Sequence, residues 1–251
     1  MFKFISTGIC CIVAAVSLAG CSSFNQYFAE NNQDAQVEKT KPLGTNNLAA
    51  HMEQDEANPA SIAVLVNKQH KLPGGYEPND LVYTKIPFIP TSAKAEKREM
   101  RSKAAAAVKN LFDGAKAQGV NLLGVSAYRS EKTQISLFNT YVNRDGYEKA
   151  KSYSALPGTS EHETGLAIDV TGGDGKCAAS DCFGGSPEAR WLKDHAADYG
   201  FIIRYPKGKE SITGYQFEPW HIRYVGTELA KEIMSQGITL EEYYNAAKVN
   251  N

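Results

Sequence analysis

Ser160-Glu161-His162-Glu163-Thr164-Gly165-Leu166-Ala167-Ile168-Asp169-Val170 is the stretch on which the reading of this chain turns. His162 and Asp169 are seven positions apart. On one straight strand an odd separation puts side chains on opposite faces, so both reach a common point only if the chain turns between them. Gly165 supplies the turn, and Leu166–Val170 reads as a short buried strand. His162 then lies on the approach loop and Asp169 on the strand. A second stretch, Glu218-Pro219-Trp220-His221-Ile222-Arg223-Tyr224-Val225-Gly226, follows about fifty residues later. Pro219 cannot donate to a sheet ladder, so a bulge or bend is expected there. That bend would let Glu218 and His221 face one pocket, with His221–Val225 continuing as a strand.

The chain has five histidines, and two of them fall in these segments. Two histidines, an aspartate and a spare glutamate are what a mononuclear catalytic zinc site needs: three ligands, an open position and a base beside it. His162, Asp169 and His221 are the candidate ligands and Glu218 the candidate base. Glu163 competes as the base, because His-Glu opens the H-E-x-x-H motif. That motif needs a second histidine at 166, where the chain has Leu, and Gly165 is poor in a helix interior. The helical zinc-protease reading is therefore rejected. The plain alternative is two ordinary hydrogen-bonded polar clusters.

At these residues the sequence resembles the VanY-type D-Ala-D-Ala carboxypeptidases, zinc metallopeptidases of the LAS group, which includes LdcB-like L,D-carboxypeptidases and some phage endolysins. The family pattern S-x-H-x-x-G-x-A-x-D is met at Ser160, His162, Gly165, Ala167 and Asp169. E-x-W-H is met at Glu218, Trp220 and His221. The likeness runs from Val64-Leu65-Val66-Asn67-Lys68 through Tyr128-Arg129-Ser130 and Gln134 to Tyr224-Val225-Gly226. It implies one zinc per chain on His162, Asp169 and His221, with Glu218 as catalytic base. It also implies that Arg129, Gln134 and Ser160 line the substrate carboxylate or scissile carbonyl. Whether Arg129 holds the carboxylate or the oxyanion stays open.

The N-terminus sets an address. Lys3, an apolar run from Phe4 to about Leu18, and Leu18-Ala19-Gly20-Cys21 describe a secretory signal over residues 1–20, too short for a comfortable membrane span. Leu-Ala-Gly-Cys looks like a bacterial lipobox, with Cys21 lipidated and the protein anchored outside the cytoplasm on the cell membrane. Removing Lys3 leaves 26 basic against 28 acidic residues, a net charge of −2. Such a balance excludes a nucleic-acid footprint, which needs a basic patch or stripe. Of five cysteines, Cys10 and Cys11 leave with the signal and Cys21 carries lipid. Cys177 and Cys182 remain, and outside the cytoplasm they are expected to form a disulfide.

Residues 21–60 are polar and without period, and are expected to form a flexible tether. Residues 61–251 suit one catalytic domain, expected to act as a monomer. Lys94–Gln118 reads as one long helix with Val108, Leu111, Phe112 and Ala115 as its buried stripe. Leu122–Ala127 is expected to be a strand delivering Tyr128-Arg129-Ser130 to the pocket, and Lys132–Val142 a helix with Gln134 in its first turn. Ser186-Pro187-Glu188 opens a helix running to Tyr199. Phe201–Tyr205 is a strand, and helices follow at Thr227–Ser235 and Leu240–Lys248. The expected fold is α+β: a small antiparallel sheet carrying the zinc site, flanked by helices. His51 falls in the tether, His70 in a loop, and His195 on a helix surface; none is expected to bind metal. Trp220 is expected to anchor the core and fix the bend.

The function implied is removal of the C-terminal D-Ala from peptidoglycan stem peptides, with the D-Ala-D-Ala bond as first expectation. The alternatives are an L,D-carboxypeptidase on tetrapeptide stems, a wall endopeptidase, and a non-catalytic wall-binding lipoprotein.

Overall fold

In the computed structural model, residues 54–92 and 95–245 are described. Four antiparallel strands form the main sheet in the order β3-β4-β6-β5. They are β3 (Leu122–Ser126), β4 (Ala167–Gly172), β5 (Phe201–Tyr205) and β6 (Glu218–Tyr224). A small ribbon pairs β1 (Leu81–Tyr83) with β2 (Glu99–Arg101). Helices α1 (Ser102–Ala117), α2 (Glu131–Asp145), α3 (Tyr147–Tyr153) and α4 (Pro187–His195) surround the sheet. A short turn of helix, α5 (Glu210–Thr213), precedes β6, and α6 (Thr227–Gln236) and α7 (Leu240–Tyr243) follow it. The class is the α+β arrangement expected from the sequence.

β4 is buried along all six residues, and its alternation separates two environments. Ile168 and Val170 join the core with Val108, Leu111 and Phe112 of α1, and Asp169 points the other way. A second apolar cluster joins Leu65 and Ile202 to Ala230, Ile233 and Leu240. The register pairs Asp169 directly with His221, and such cross-strand neighbours hold their Cβ atoms about 4.5–5.5 Å apart. The bend at Pro219 is present as a register shift: Ile203 pairs with Ile222, but Tyr205 pairs with Glu218.

Three expectations about element bounds are corrected. The helix expected from Lys94 starts at Ser102. Residues 99–101 pair with β1, Arg101 N donates to Gly165 O, and Ala127 N and Tyr128 N donate to Lys97 O and Glu99 O. Those long-range bonds outweigh the helical propensity of the segment. Another is at the tether's end: residues 54–60 are bonded to the domain, Leu65 N to Glu56 O and the Tyr76 hydroxyl to Pro59 O. The third is the helix expected over Leu240–Lys248, which stops at Tyr243, with Asn245 at φ 54° turning the chain out of it. The expected signal, Cys21, His51 and the rest of the tether lie outside the described residues.

Candidate metal centre

His162 sits on a 3-10 turn, Glu161–Thr164, closed by Gly165 at φ 68°. A Cβ at Gly165 would meet Leu81 Cδ2 at 2.9 Å, so both handedness and space require glycine there. The turn aims His162 at β4. Ligand atoms of His162, Asp169 and His221 all lie within 4.8 Å of one another, and all three residues are buried.

Hydrogen bonds decide which ring nitrogens face the common point. His162 Nδ1 lies 2.7 Å from Ala127 O. A carbonyl only accepts, so Nδ1 carries the proton and Nε2 is left free. Nε2 is 3.3 Å from Asp169 Oδ2. His221 is held the opposite way round: Nε2 faces Glu161 Oε2 at 3.3 Å and Nδ1 faces Asp169 Oδ1 at 3.0 Å. Tetrahedral zinc with bonds of about 2.0–2.1 Å needs ligand atoms about 3.3 Å apart, so this donor set fits zinc.

Around that point is a cavity of about 330 Å³ lined by Arg129, Ser160, Glu218, Trp220 and several tyrosines. Glu218 Oε2 is 3.9 Å from His221 Nδ1. Burial pushes the Glu218 carboxyl up to about 7, against the pull of His221. Asp169 goes the other way: burial opposes its ionisation, but His162 and His221 outweigh it and hold it well below the carboxylate range. Burial also opposes charge on His221, yet Asp169 and Glu161 raise its ring to about 9 in the metal-free protein. Metal binding must displace that proton.

The expected substrate residues separate. Arg129 and Ser160 line the cavity, but Gln134 does not. Gln134 is fully buried, accepts from Arg129 Nη1 at 3.0 Å and donates to Ala155 O at 2.7 Å. Its place is behind the guanidinium, which it orients, because its first-turn position on α2 faces the core. Glu163 is also outside the cavity; its carboxylate accepts from Gly158 N, and burial raises it to about 7. Cys177 and Cys182 are disulfide-bonded, and the loop they close carries Asp181 to the cavity rim. Trp220 both packs on the core edge and lines the cavity. His195 pairs with Asp198 and stacks on Trp191, and His70 faces Glu56 and Asn67.

Glu161 was missed from sequence. It is 1% exposed and takes Arg204 Nε and Arg223 Nη1 on one oxygen, each at 2.6 Å, with His221 on the other. Arg204 also forks onto Glu241 at 2.8 and 2.6 Å. Burial opposes its charge, but the two guanidiniums hold Glu161 well below the carboxylate range. It therefore acts as a fixed acceptor that orients the candidate ligand His221, an arrangement that would also raise ligand basicity.

Comparison with known proteins agrees with this geometry. Residues 97–227 match the VanY family, described as D-alanyl-D-alanine carboxypeptidase. A Bacillus subtilis (strain 168) protein named putative carboxypeptidase YodJ is 40% identical, covering 98% of this chain and 97% of its own length. The solved LdcB LD-carboxypeptidase is 47% identical with TM-score 0.72, covering 76% of this chain and 90% of its own. A vancomycin-resistance D,D-pentapeptidase VanY variant, solved in complex with Zn(II), is 32% identical with TM-score 0.58, covering 74% and 99%. The chain belongs to the VanY family of zinc metallopeptidases, and is an enzyme of the carboxypeptidase type.

Proposed function

We propose that the protein trims peptidoglycan by hydrolysing the bond before the C-terminal D-alanine of stem peptides. The observation that carries this is the convergence of His162, Asp169 and His221 on a cavity whose wall also holds Glu218 and Arg129. A zinc ion at that point supplies Lewis acidity, polarising a carbonyl and making water acidic enough to attack near neutral pH. Glu218, on the wall of the same cavity, accepts the attacking water's proton and returns it to the leaving amine. Arg129 offers a planar fork to the free C-terminal carboxylate. Its orientation is set by Gln134 Oε1 and by Ser126 Oγ at 3.3 Å. Ser160 adds a neutral hydroxyl on the same wall.

Between the two bonds, the similarity to LdcB, in both identity and TM-score, favours the L,D bond of a tetrapeptide over D-Ala-D-Ala. The cavity wall supports the same choice. Tyr141, Tyr153, Tyr205, Tyr215 and Phe217 line it, giving apolar surface to the long aliphatic arm that an L-diamino acid carries and D-alanine lacks. Digestion of defined tetrapeptide and pentapeptide muropeptides by the full-length zinc-loaded chain, read by mass, tests this. Release of D-Ala from the tetrapeptide is expected. Faster cleavage of the pentapeptide would return the D,D reading, and equal cleavage of a C-terminally amidated tetrapeptide would make it an endopeptidase.

The address is part of the same proposal. Leu18-Ala19-Gly20-Cys21 places lipid on Cys21, so the monomeric enzyme works on the outer side of the cell membrane, facing the wall. Cys21→Ser should release the protein from the membrane fraction; unchanged retention would refute lipidation.

A further inference from the structure

Beside the metal cavity is a second, larger hollow of about 620 Å³. Its floor is apolar, with Ile203 of β5 and Ile233 of α6 among its residues. Its rim carries Arg190 and Lys193 from α4 and Lys207 from the turn after β5. All three cations are exposed, and Lys207 lies close enough to Glu210 to add to the backbone hydrogen bonds that lower its carboxyl. On a chain of net charge −1, three cations against the single carboxylate of Asp181 make the lining of this hollow net positive. Asp181 and Phe217 line both hollows, so the second adjoins the cavity that holds the candidate metal ligands.

We propose that this basic-rimmed hollow is an upstream subsite, seating the part of the stem peptide N-terminal to the cleaved bond. The rim cations would pair with the free α-carboxylate of its γ-linked glutamyl residue. The inference rests on the function proposed above. Moving away from the C-terminal D-alanine, a stem peptide presents the ammonium of its diamino acid and then that carboxylate. Moving outward from the candidate metal ligands, the lining presents Asp181, shared by both hollows, and then the three cations, which line only the second. The two orders of charge are complementary, and the apolar floor suits the aliphatic stems between the charges. A polyphosphate chain would match the cations but not the floor.

The test compares three synthetic peptides with the same C-terminal residues on the full-length zinc-loaded enzyme. One has the free glutamyl α-carboxylate, one has it amidated, and one is truncated to the acetylated diamino acid. Amidation or truncation should each lower kcat/KM about tenfold, mostly through KM, as expected for loss of uniform binding. In an Arg190→Gln/Lys193→Gln/Lys207→Gln triple variant the acid and amide peptides should be cut equally. Equal kcat/KM for all three peptides in the unmodified enzyme would overturn the subsite, as would a preference that survives in the triple variant. If no peptide ending in free D-alanine is cut, the proposed function itself falls, and the subsite with it.

Discussion

His221 divides two groups of charges that resemble each other in composition and differ in state. Behind it, Glu161 and Glu241 face Arg204 and Arg223, two carboxylates against two guanidiniums, at no more than 1% exposure. Asn67 donates to Glu241, and Arg223 donates to the backbone oxygens of Ile62 and Val64. In front of it, Asp169, Glu218 and Arg129 border an open cavity. The rear carboxylate Glu161 is held well below its ordinary range, and the front carboxyl Glu218 is pushed up to about 7. Burial penalises both charges; only the rear one has cations close enough to overcome the penalty. A saturated network fixes geometry, whereas a carboxyl with its proton in balance can do acid–base work.

Glu218→Gln tests the front group and carries the largest expected effect. Turnover should fall by about 10²–10⁴-fold, as for loss of a general acid–base group, with zinc content retained. Stability should move the other way. The folded value of Glu218 lies above its ordinary 4.5, so its contribution is present below about pH 4.5 and is lost as pH rises through about 7. The zinc-free Gln variant should therefore unfold at higher denaturant than the parent above pH 7. Near-parental turnover in a zinc-loaded variant would remove Glu218 from the chemistry.

Arg204→Met tests the rear group. It leaves Glu161 and Glu241 buried with one cation fewer, and breaking a buried pair from one side costs about 3–5 kcal/mol. Equilibrium denaturation above pH 5 should show that loss. Glu161 has the opposite pH sign to Glu218: its folded value is depressed, so its contribution is present above about 4.5 and is lost as pH falls through the folded value. A loss below about 1 kcal/mol would mean that the network is ordinary surface-like pairing.

The front group was legible in sequence because its residues sit where period and punctuation change. Gly165 marks the turn before Asp169, and Pro219 marks the bulge that brings Glu218 beside His221. The rear group was not. Glu161 stands between two motif residues and looks like a solvated acid, and its partners lie 43, 60 and 62 residues away. One signal was present: Arg204 interrupts the otherwise apolar strand Phe201–Tyr205, and a guanidinium buried in a strand must find a carboxylate. The late start of α1 was hidden for a similar reason. Bonds from Gly165 and the chain after β3 claim residues 97–101, and no local propensity reports them.

Glu161→Gln asks whether the two groups communicate through the imidazole between them. The amide keeps the shape and weakens the acceptor at His221 Nε2, so zinc affinity should drop about 10–100-fold, the usual cost of losing an outer-shell partner. Chelator competition on the folded variant reads this separately from stability. Unchanged affinity would make the rear network purely structural.

The smallest effect is expected at the cavity's rim, where the Cys177–Cys182 loop carries Asp181. Closing so short a loop contributes about 2 kcal/mol on the chain-entropy model, so Cys177→Ser with Cys182→Ser should lower stability by no more than that. The loop supplies no metal ligand, and zinc content should hold. Asp181 borders both hollows, and a loosened loop no longer presents it at one place, so KM for a stem peptide should rise with kcat little changed. A matching fall in kcat would tie the loop to the arrangement of Glu218 and His221 instead. The separation between a fixed rear network and a working front would then extend outward to the rim.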